Sequence, residues 1–284
     1  STTSTRSDPW GAPATPAAAP APAEVPLITR EALFGNPAKA GGAISPNGEW
    51  LGYIAPRDGV LNVHVAPRAT PDQAKPVTND QGRGIRGFQF AYTGNHVLYA
   101  QDVGGDENFQ VFATDLSSGE TRELSPKGSR ASIAAISSQF PDELIISHNQ
   151  RNPRYFDLYR VNLATGASTL LLENNEYTGF VVDDSFEVRI AQKQTPDGGN
   201  EWFLREAGAF KSWGKVPQED SLTTFLAGFT ADGKTLYLVD SRERNTGAMF
   251  AMDMTSGERT LLREDARADV TGALTHPMTG VVQA

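Results

Sequence analysis

Apolar and polar residues alternate in short runs along most of the chain, and glycine-containing turns separate the runs. The pattern is clearest in FTADGKTLYLV (residues 229–239), where an Asp-Gly turn precedes an alternating run. The same pattern of a glycine-containing turn followed by an alternating run occurs in ISPNGEWLGYIA (44–55) and FAYTGNHVLYA (90–100). Alternation with a period of two predicts antiparallel strands that bury one face and are joined by tight turns.

This unit of turn and strand recurs at a nearly constant interval. A second hairpin follows the first, as in LYRVNLATGASTLLL (158–172), so each unit holds four short strands. Four antiparallel strands in each stretch of roughly 40 to 50 residues are typical of a β-propeller blade. The turns of the successive units fall at Gly48, Gly94, Asp142, Asp184, Gly233 and Gly280.

We therefore predict an all-β fold, a β-propeller of four-stranded antiparallel blades over residues 27–284, with five complete repeats and part of a sixth. A β-sandwich or a solenoid is the alternative. Residues 27–36 favour a short helix capped by Thr29, so no donor strand is evident upstream. Because propellers normally close their ring, we expect the chain to be incomplete. Open blade edges would then favour self-association.

The amino-terminal tract differs in composition from the repeats. Residues 1–26 are rich in Ala and Pro, which predicts a disordered arm. The tract lacks the apolar segment of a signal peptide, and it would suit a mature exported protein whose signal has been removed. We expect a periplasmic or secreted protein, with a cytoplasmic location as the alternative.

Charge and residue usage exclude several classes of function. The chain has 25 Lys and Arg against 34 Asp and Glu, a net charge of −9, which argues against nucleic acid or anionic membranes as partners. No apolar run approaches the roughly 18 residues that span a bilayer. The chain has no cysteine and only four scattered histidines, so we predict no metal site and no cofactor.

Three segments resemble the amino-terminal propeller of the prolyl oligopeptidase family of serine peptidases, in its acylaminoacyl-peptidase-like bacterial branch. The first is LITREALFGNP (27–37) with the strand that follows it. The others are QDVGGDENFQVF (101–112), similar to the second-blade motif of that branch, and HNQRNPRYFDLYRVNLATG (148–166), similar to its third-blade motif. The resemblance covers about residues 27–284.

The resemblance implies a seven-bladed propeller that covers an α/β-hydrolase domain and admits short peptides to a Ser/Asp/His triad. No Gly-x-Ser-x-Gly sequence occurs in this chain, so no residue here is assigned to the triad. We expect the substrate-gating portion of a serine exo- or oligopeptidase, with the hydrolase domain of the same protein and short peptides as partners. The dipeptidyl-peptidase branch uses paired glutamates on a propeller insertion. No Glu-Glu pair occurs here, which argues against that mode of exopeptidase action.

One candidate site precedes a strand of the second unit. Asp106, Glu107 and Asn108 follow two glycines and form an acidic patch. Such a patch could meet the amino group of a substrate or the hydrolase domain. The alternative is that Asp106 and Asn108 cap a turn by accepting local hydrogen bonds.

A second candidate site lies in the third unit. Arg151 and Arg154 flank Pro153 and could bind a carboxylate of the substrate or of the other domain. The alternative is an exposed turn in which Arg154 pairs with Asp157. Nearby, His148 is expected in a loop at the end of a strand.

Two other classes of function stay open beside the peptidase propeller. A periplasmic Tol-like propeller would bind a protein partner without catalysis, and a self-contained propeller enzyme would act as a glycosidase or lyase. The long blade motifs favour the peptidase propeller. No His, Asp or Glu cluster recurs at equivalent positions of the units, which argues against the propeller enzyme.

Overall fold

The computed structural model describes residues 27–284, and the predicted Ala/Pro arm of residues 1–26 lies outside the described residues. The described part begins with a short helix, α1 (Arg30–Phe34). The side chain of Thr29 caps it by accepting a hydrogen bond from the backbone N of Ala32 at 3.2 Å, which confirms the predicted capped helix. This helix belongs to a unit that ends at Gly35, and a second compact unit runs from Asn36 to Ala284.

Residues 36–284 contain five antiparallel sheets, each built from four strands that are consecutive in sequence. We number them blades 1 to 5 in chain order. Blade 1 holds β1 (Ala40–Ile44), β2 (Trp50–Arg57), β3 (Val60–Pro67) and β4 (Lys75–Pro76). Blade 2 holds β5 (Phe88–Phe90), β6 (His96–Gln101), β7 (Gln110–Asp115) and β8 (Thr121–Glu123). Blade 3 holds β9 (Ala131–Ile136), β10 (Glu143–Asn152), β11 (Tyr155–Asn162) and β12 (Ser168–Leu172). Blade 4 holds β13 (Gly179–Val182), β14 (Val188–Gln194), β15 (Asn200–Glu206) and β16 (Ala209–Val216). Blade 5 holds β17 (Phe225–Phe229), β18 (Thr235–Asp240), β19 (Ala248–Asp253) and β20 (Arg259–Arg263).

The first strand of each blade is the inner one. Strand β1 contacts β5, while β13 contacts both β9 and β17, so the first strands of neighbouring blades meet. The last strands are on the outside, and every residue of β20 is exposed. This radial order confirms the predicted β-propeller of four-stranded blades.

Apolar side chains fill the spaces between neighbouring blades. Leu98 of blade 2 and Leu144 of blade 3 are fully buried in one such cluster. Trp213 packs with Trp202 and Leu236 between blades 4 and 5. Burying a side chain of this size stabilises the fold by about 1.5 to 3 kcal/mol, so these layers hold the blades together.

The contact between blades 1 and 2 requires a residue without a side chain. A Cβ atom built on Gly52 in β2 would lie 2.8 Å from the ring of Phe88 in β5. That distance is shorter than a van der Waals contact, so a larger residue at position 52 would displace the ring of Phe88 from the space between the two blades.

The sixth unit begins after blade 5 as a small hairpin, in which Thr275 forms an antiparallel bridge with Val282. The hairpin contacts blade 5, because the backbone N of Ala231 donates to the carbonyl of Thr279 at 2.9 Å. It also reaches blade 2, where the Tyr92 hydroxyl donates to the carbonyl of Pro277 at 2.5 Å.

Residues 27–284 contain neither a membrane-spanning helix nor a cluster of metal-binding side chains. No helix in this range combines the length and hydropathy needed to cross a bilayer. In the same range, no three His, Asp or Glu side chains gather closely enough to hold a metal ion.

Candidate functional site

Both predicted site groups lie at the same end of the blades. Because consecutive strands run antiparallel, the loops from second to third strands share one end with the connections from each blade to the next. We call this end the upper face. The loop of residues 102–109 between β6 and β7, the blade 2 loop, carries the acidic patch, and the β10–β11 turn carries the two arginines.

The turn-capping interpretation holds for Asp106, which accepts hydrogen bonds within the acidic patch, whereas Asn108 is the donor. The carboxylate of Asp106 accepts hydrogen bonds from the backbone N of Asn108 at 3.0 Å and from its Nδ2 at 3.3 Å. The backbone hydrogen bond from Asn108 holds the pKa of Asp106 below its usual value. Asp106 and Asn108 therefore stabilise the loop conformation.

Glu107 has a different environment in the same loop. Its φ of 58° lies in the left-handed region, which is costly for a residue with a Cβ. The conformation is held by the backbone N of Glu107, which donates to the buried carboxylate of Asp102 at 3.2 Å. The Glu107 carboxylate is exposed and has no hydrogen bond or ion pair to any residue in the described range. Glu107 is thus the residue of the acidic patch whose carboxylate is available to a ligand.

Arg151 is occupied by partners within the fold. Its Nε and Nη2 atoms each donate to the carboxylate of Asp157 at 2.8 Å, and Nη2 also donates to the carbonyl of Asn174 at 2.6 Å. The side chain of Asp157 is fully buried. Hydrogen bonding by Asp157 raises the pKa of Arg151, which is therefore engaged as a structural cation.

The partners of Arg151 order the connection between blades 3 and 4. The backbone N of Asn174 donates to Asp157 at 2.7 Å, and the Asn174 side chain accepts from the backbone N of Tyr177 at 2.9 Å. We call Arg151, Asp157 and Asn174 the blade 3 clamp. Its effect is to fix residues 173–178 on the upper face.

The expected pair between Arg154 and Asp157 is wrong, since Asp157 is bound by Arg151. The reason is a register shift of the β10–β11 hairpin between His148 and Asn152, which turns Arg151 back over Asp157. Arg154 instead projects into solvent near the ring of Tyr155, 5.9 Å from its centroid, and forms no salt bridge within residues 27–284.

His148 also differs from the expectation of a loop histidine. It lies within β10, is 3% exposed, and stacks on Tyr159 with ring centroids 4.1 Å apart. Burial lowers the pKa of His148, and the nearby Asp157 opposes that shift. A neutral histidine that packs in blade 3 is consistent with this environment.

Two pockets open beside Phe109, the residue that follows the acidic patch. The blade 2 pocket has a volume of about 500 Å³ and includes Arg83 and Arg86 in its lining. The blade 3 pocket has a volume of about 590 Å³ and includes Arg130. Phe109 and Ala100 line both pockets, so the two adjoin.

Sequence reasoning did not select Phe109 or these arginines. A usable signal was present in GRGIR (residues 82–86), where two arginines alternate with glycines in a connection between blades. The packing that brings this connection against Phe109 involves two different blades. That proximity is a property of the fold, which explains why the pattern alone did not predict it.

Solved structures place the fold in the class of β-propellers. The chain superposes on the β-propeller domain of the trilobed protease from Pyrococcus furiosus with a TM-score of 0.55, 16% identity, and coverage of 81% of this chain and 71% of that one. It superposes on a prolyl endopeptidase with a TM-score of 0.57 and 14% identity, covering 79% of this chain and 35% of that one. It superposes on TolB from Acinetobacter baumannii with a TM-score of 0.51 and 14% identity, covering 80% of this chain and 54% of that one. At these identities the likeness concerns the fold alone.

Sequence comparison then identifies the family, although no family model matches the chain. The chain is 46% identical over 279 residues to dipeptidyl aminopeptidase BIII of Pseudoxanthomonas mexicana, covering 97% of this chain and 40% of that protein. It is 22% identical over 271 residues to dipeptidyl peptidase family member 6 of Caenorhabditis elegans, covering 89% and 36%. The chain is a β-propeller of the prolyl oligopeptidase family, which confirms the resemblance seen in its blade motifs. It spans less than half the length of these curated relatives.

Proposed function

We propose that this chain is the substrate-gating propeller of a serine exopeptidase that removes dipeptides from the amino ends of short peptides. The observation that carries the proposal is 46% identity over 97% of the chain to a protein named for dipeptidyl aminopeptidase activity. The catalytic serine would belong to an α/β-hydrolase domain of the same protein. The propeller restricts access, so that short peptides reach that serine and folded proteins do not.

In this proposal Glu107 binds the α-amino group of the substrate. Removal of dipeptides requires a fixed negative charge at a set distance from the scissile bond, because the enzyme must measure two residues from a free amino end. Glu107 is suited to this role, since its carboxylate is exposed and unpaired with respect to the described residues while its backbone is held at a φ of 58°. It would take the place of the paired glutamates that this sequence lacks.

The test is the Glu107→Gln variant of the longer protein that contains this propeller, assayed with dipeptidyl naphthylamides. Loss of one charge-assisted contact to the amino group, of about 1.5 to 3 kcal/mol, should raise KM by about ten-fold or more with little change in kcat. Glu120→Gln is the matched control, an exposed glutamate in the β7–β8 turn at the opposite end of blade 2. Cleavage of substrates with blocked amino ends as fast as free ones would overturn the proposal.

The Tol-like alternative has less support. Similarity to TolB rests on the fold at 14% identity, and no site on the described part of the chain favours it over the peptidase propeller. For localisation we propose the periplasm or secretion, which the Ala/Pro-rich composition of residues 1–26 supports. Cell fractionation with an antibody to this chain tests that location.

A further inference from the structure

The two pockets beside Phe109 combine apolar walls with cationic rims. In the blade 2 pocket, Phe88 and Tyr99 contribute aromatic surface, and in the blade 3 pocket Phe156 and Phe180 do so. Phe109 itself is 38% exposed, which is unusual for a phenylalanine in a folded domain. An exposed aromatic ring between two concave pockets offers a surface on which a ligand can pack.

Two of the arginines at these pockets lack the partners that hold Arg151 and Arg242 elsewhere on the upper face. The side chains of Arg86 and Arg130 are exposed and make no hydrogen bond or ion pair to any residue from 27 to 284. Arg83 approaches Asp102 only loosely, with Nε 3.6 Å from Oδ1. By contrast, Arg151 and Arg242 each make bidentate hydrogen bonds to a buried carboxylate.

The contrast is informative because an arginine that is not engaged within the fold is available to a ligand, and neither Arg86 nor Arg130 forms an ion pair within residues 27–284. Unpaired guanidinium groups next to an exposed aromatic ring retain their full capacity to bind an external anion. Guanidinium binds a carboxylate through two parallel hydrogen bonds, which adds geometric selectivity to the charge attraction.

We propose that Arg86 and Arg130 bind a carboxylate of the peptide substrate, while Phe109 packs against one of its side chains. This inference rests on the proposed function and adds a substrate class to it, peptides that carry a free carboxylate. Glu107 and Phe109 are two residues apart in the blade 2 loop, and Arg86 and Arg130 line the two pockets that Phe109 joins, so one carboxylate and two guanidinium groups would surround the bound peptide. That arrangement would orient a peptide and favour short ones.

The carboxylate could come from the free carboxyl end of a short peptide or from an Asp or Glu side chain. The test is a calorimetric titration of the longer protein that contains this propeller with four probes that all have acetylated amino ends. Two probes differ at the carboxyl end, acetyl-Ala-Phe as the acid and as the amide. Two differ in a side chain, acetyl-Asp-Phe-amide and acetyl-Asn-Phe-amide. Acetylation removes the amino group, so the result does not depend on Glu107 or on peptidase activity.

We expect at least one acidic probe to bind about ten-fold more tightly than its neutral counterpart. The pair that shows the preference identifies the source of the carboxylate. Arg86→Gln and Arg130→Gln should each reduce that preference while the Kd of the neutral probe stays the same. Arg122→Gln is the control, an exposed arginine of β8 without a salt bridge in the described range, and it should leave the preference intact.

Equal binding of acidic and neutral probes would overturn the inference, as would a preference that survives in the Arg86→Gln/Arg130→Gln double variant. Neither result would bear on the amino-end recognition assigned to Glu107. Conversely, failure of the naphthylamide experiment would leave this titration interpretable, because the titration measures binding of blocked probes only.

Discussion

The blade 2 loop and the blade 3 clamp lie on the same face and use the same kinds of residue, yet their charges have opposite roles. In the clamp, the carboxylate of Asp157 is fully buried and accepts hydrogen bonds from Arg151 and from the backbone N of Asn174. In the loop, Glu107 is exposed and its carboxylate is unpaired with respect to residues 27–284. Burial and the number of partners therefore distinguish a structural charge from one available to a ligand.

The largest effect is expected from Asp157→Ala in the clamp. The change leaves a guanidinium and a backbone N–H without their buried acceptor, so the free energy of unfolding should fall by about 3 to 5 kcal/mol. Urea denaturation followed by tryptophan fluorescence measures it. Asp72→Ala is the control, because Asp72 is exposed, and that change should stay within about 0.5 kcal/mol. Equal effects of the two substitutions would refute the structural role of the clamp.

The dependence of stability on acid pH tests the role of a second buried carboxylate, that of Asp240 in blade 5. Hydrogen bonds from Arg242 and Arg259 outweigh desolvation and lower the pKa of Asp240 from 3.8 to about 2. A lowered pKa in the folded state means that the stabilisation is present above pH 3.8 and is lost as the pH falls toward 2.

By the same linkage, Asp240 contributes about 2 kcal/mol of stability above its ordinary pKa. The Asp240→Asn variant should therefore be less stable than the wild type at pH 6, and the difference should shrink between pH 4 and pH 2. Denaturation midpoints measured across that range show it. A difference that is independent of pH would contradict the assigned ion pairs.

A smaller effect of opposite sign is expected at Glu107. Glycine adopts a φ of 58° without the steric cost that a Cβ imposes, so Glu107→Gly should raise the free energy of unfolding by about 1 kcal/mol. Under the proposed function the same variant should also bind peptides with a free amino end less tightly, so that its stability would rise while its activity falls. Thermal unfolding measures the first effect, and a lower melting temperature for Glu107→Gly would show that the glutamate side chain stabilises the loop.

The smallest effect is expected at Arg154. Its guanidinium has no salt bridge within the described part of the chain, so Arg154→Gln should change the free energy of unfolding by less than about 0.5 kcal/mol. Urea denaturation of the variant and of the wild type measures the difference in the free energy of unfolding. A loss of more than 1 kcal/mol would mean that Arg154 has a structural partner after all.

The sequence predicted the repeated architecture well because the relevant signals are local. Alternation of apolar residues, turn glycines and regular spacing all act within one blade of about 45 residues. The helix cap at Thr29 is equally local, since its donor lies three residues away. The turn roles of Asp106 and Asn108 follow from the same short-range chemistry.

The charged residues were harder to predict, because their partners depend on strand register and on neighbouring blades. Asp157 lies closer in sequence to Arg154 than to Arg151, and the irregular hairpin reverses that preference. The repeat pattern predicts that the strand before His148 ends at that residue, whereas β10 continues to Asn152 and includes His148.

The sequence by itself determined the blade pattern, the turn chemistry and the family of this chain, since these depend on residue order and short-range geometry. Only the tertiary structure decided which charges are satisfied and which remain free. It packs the GRGIR connection of residues 82–86 and the start of blade 3 beside Phe109, and it buries Asp157 beneath Arg151. The physical reason is that desolvation and pairing depend on atoms brought together from distant parts of the chain.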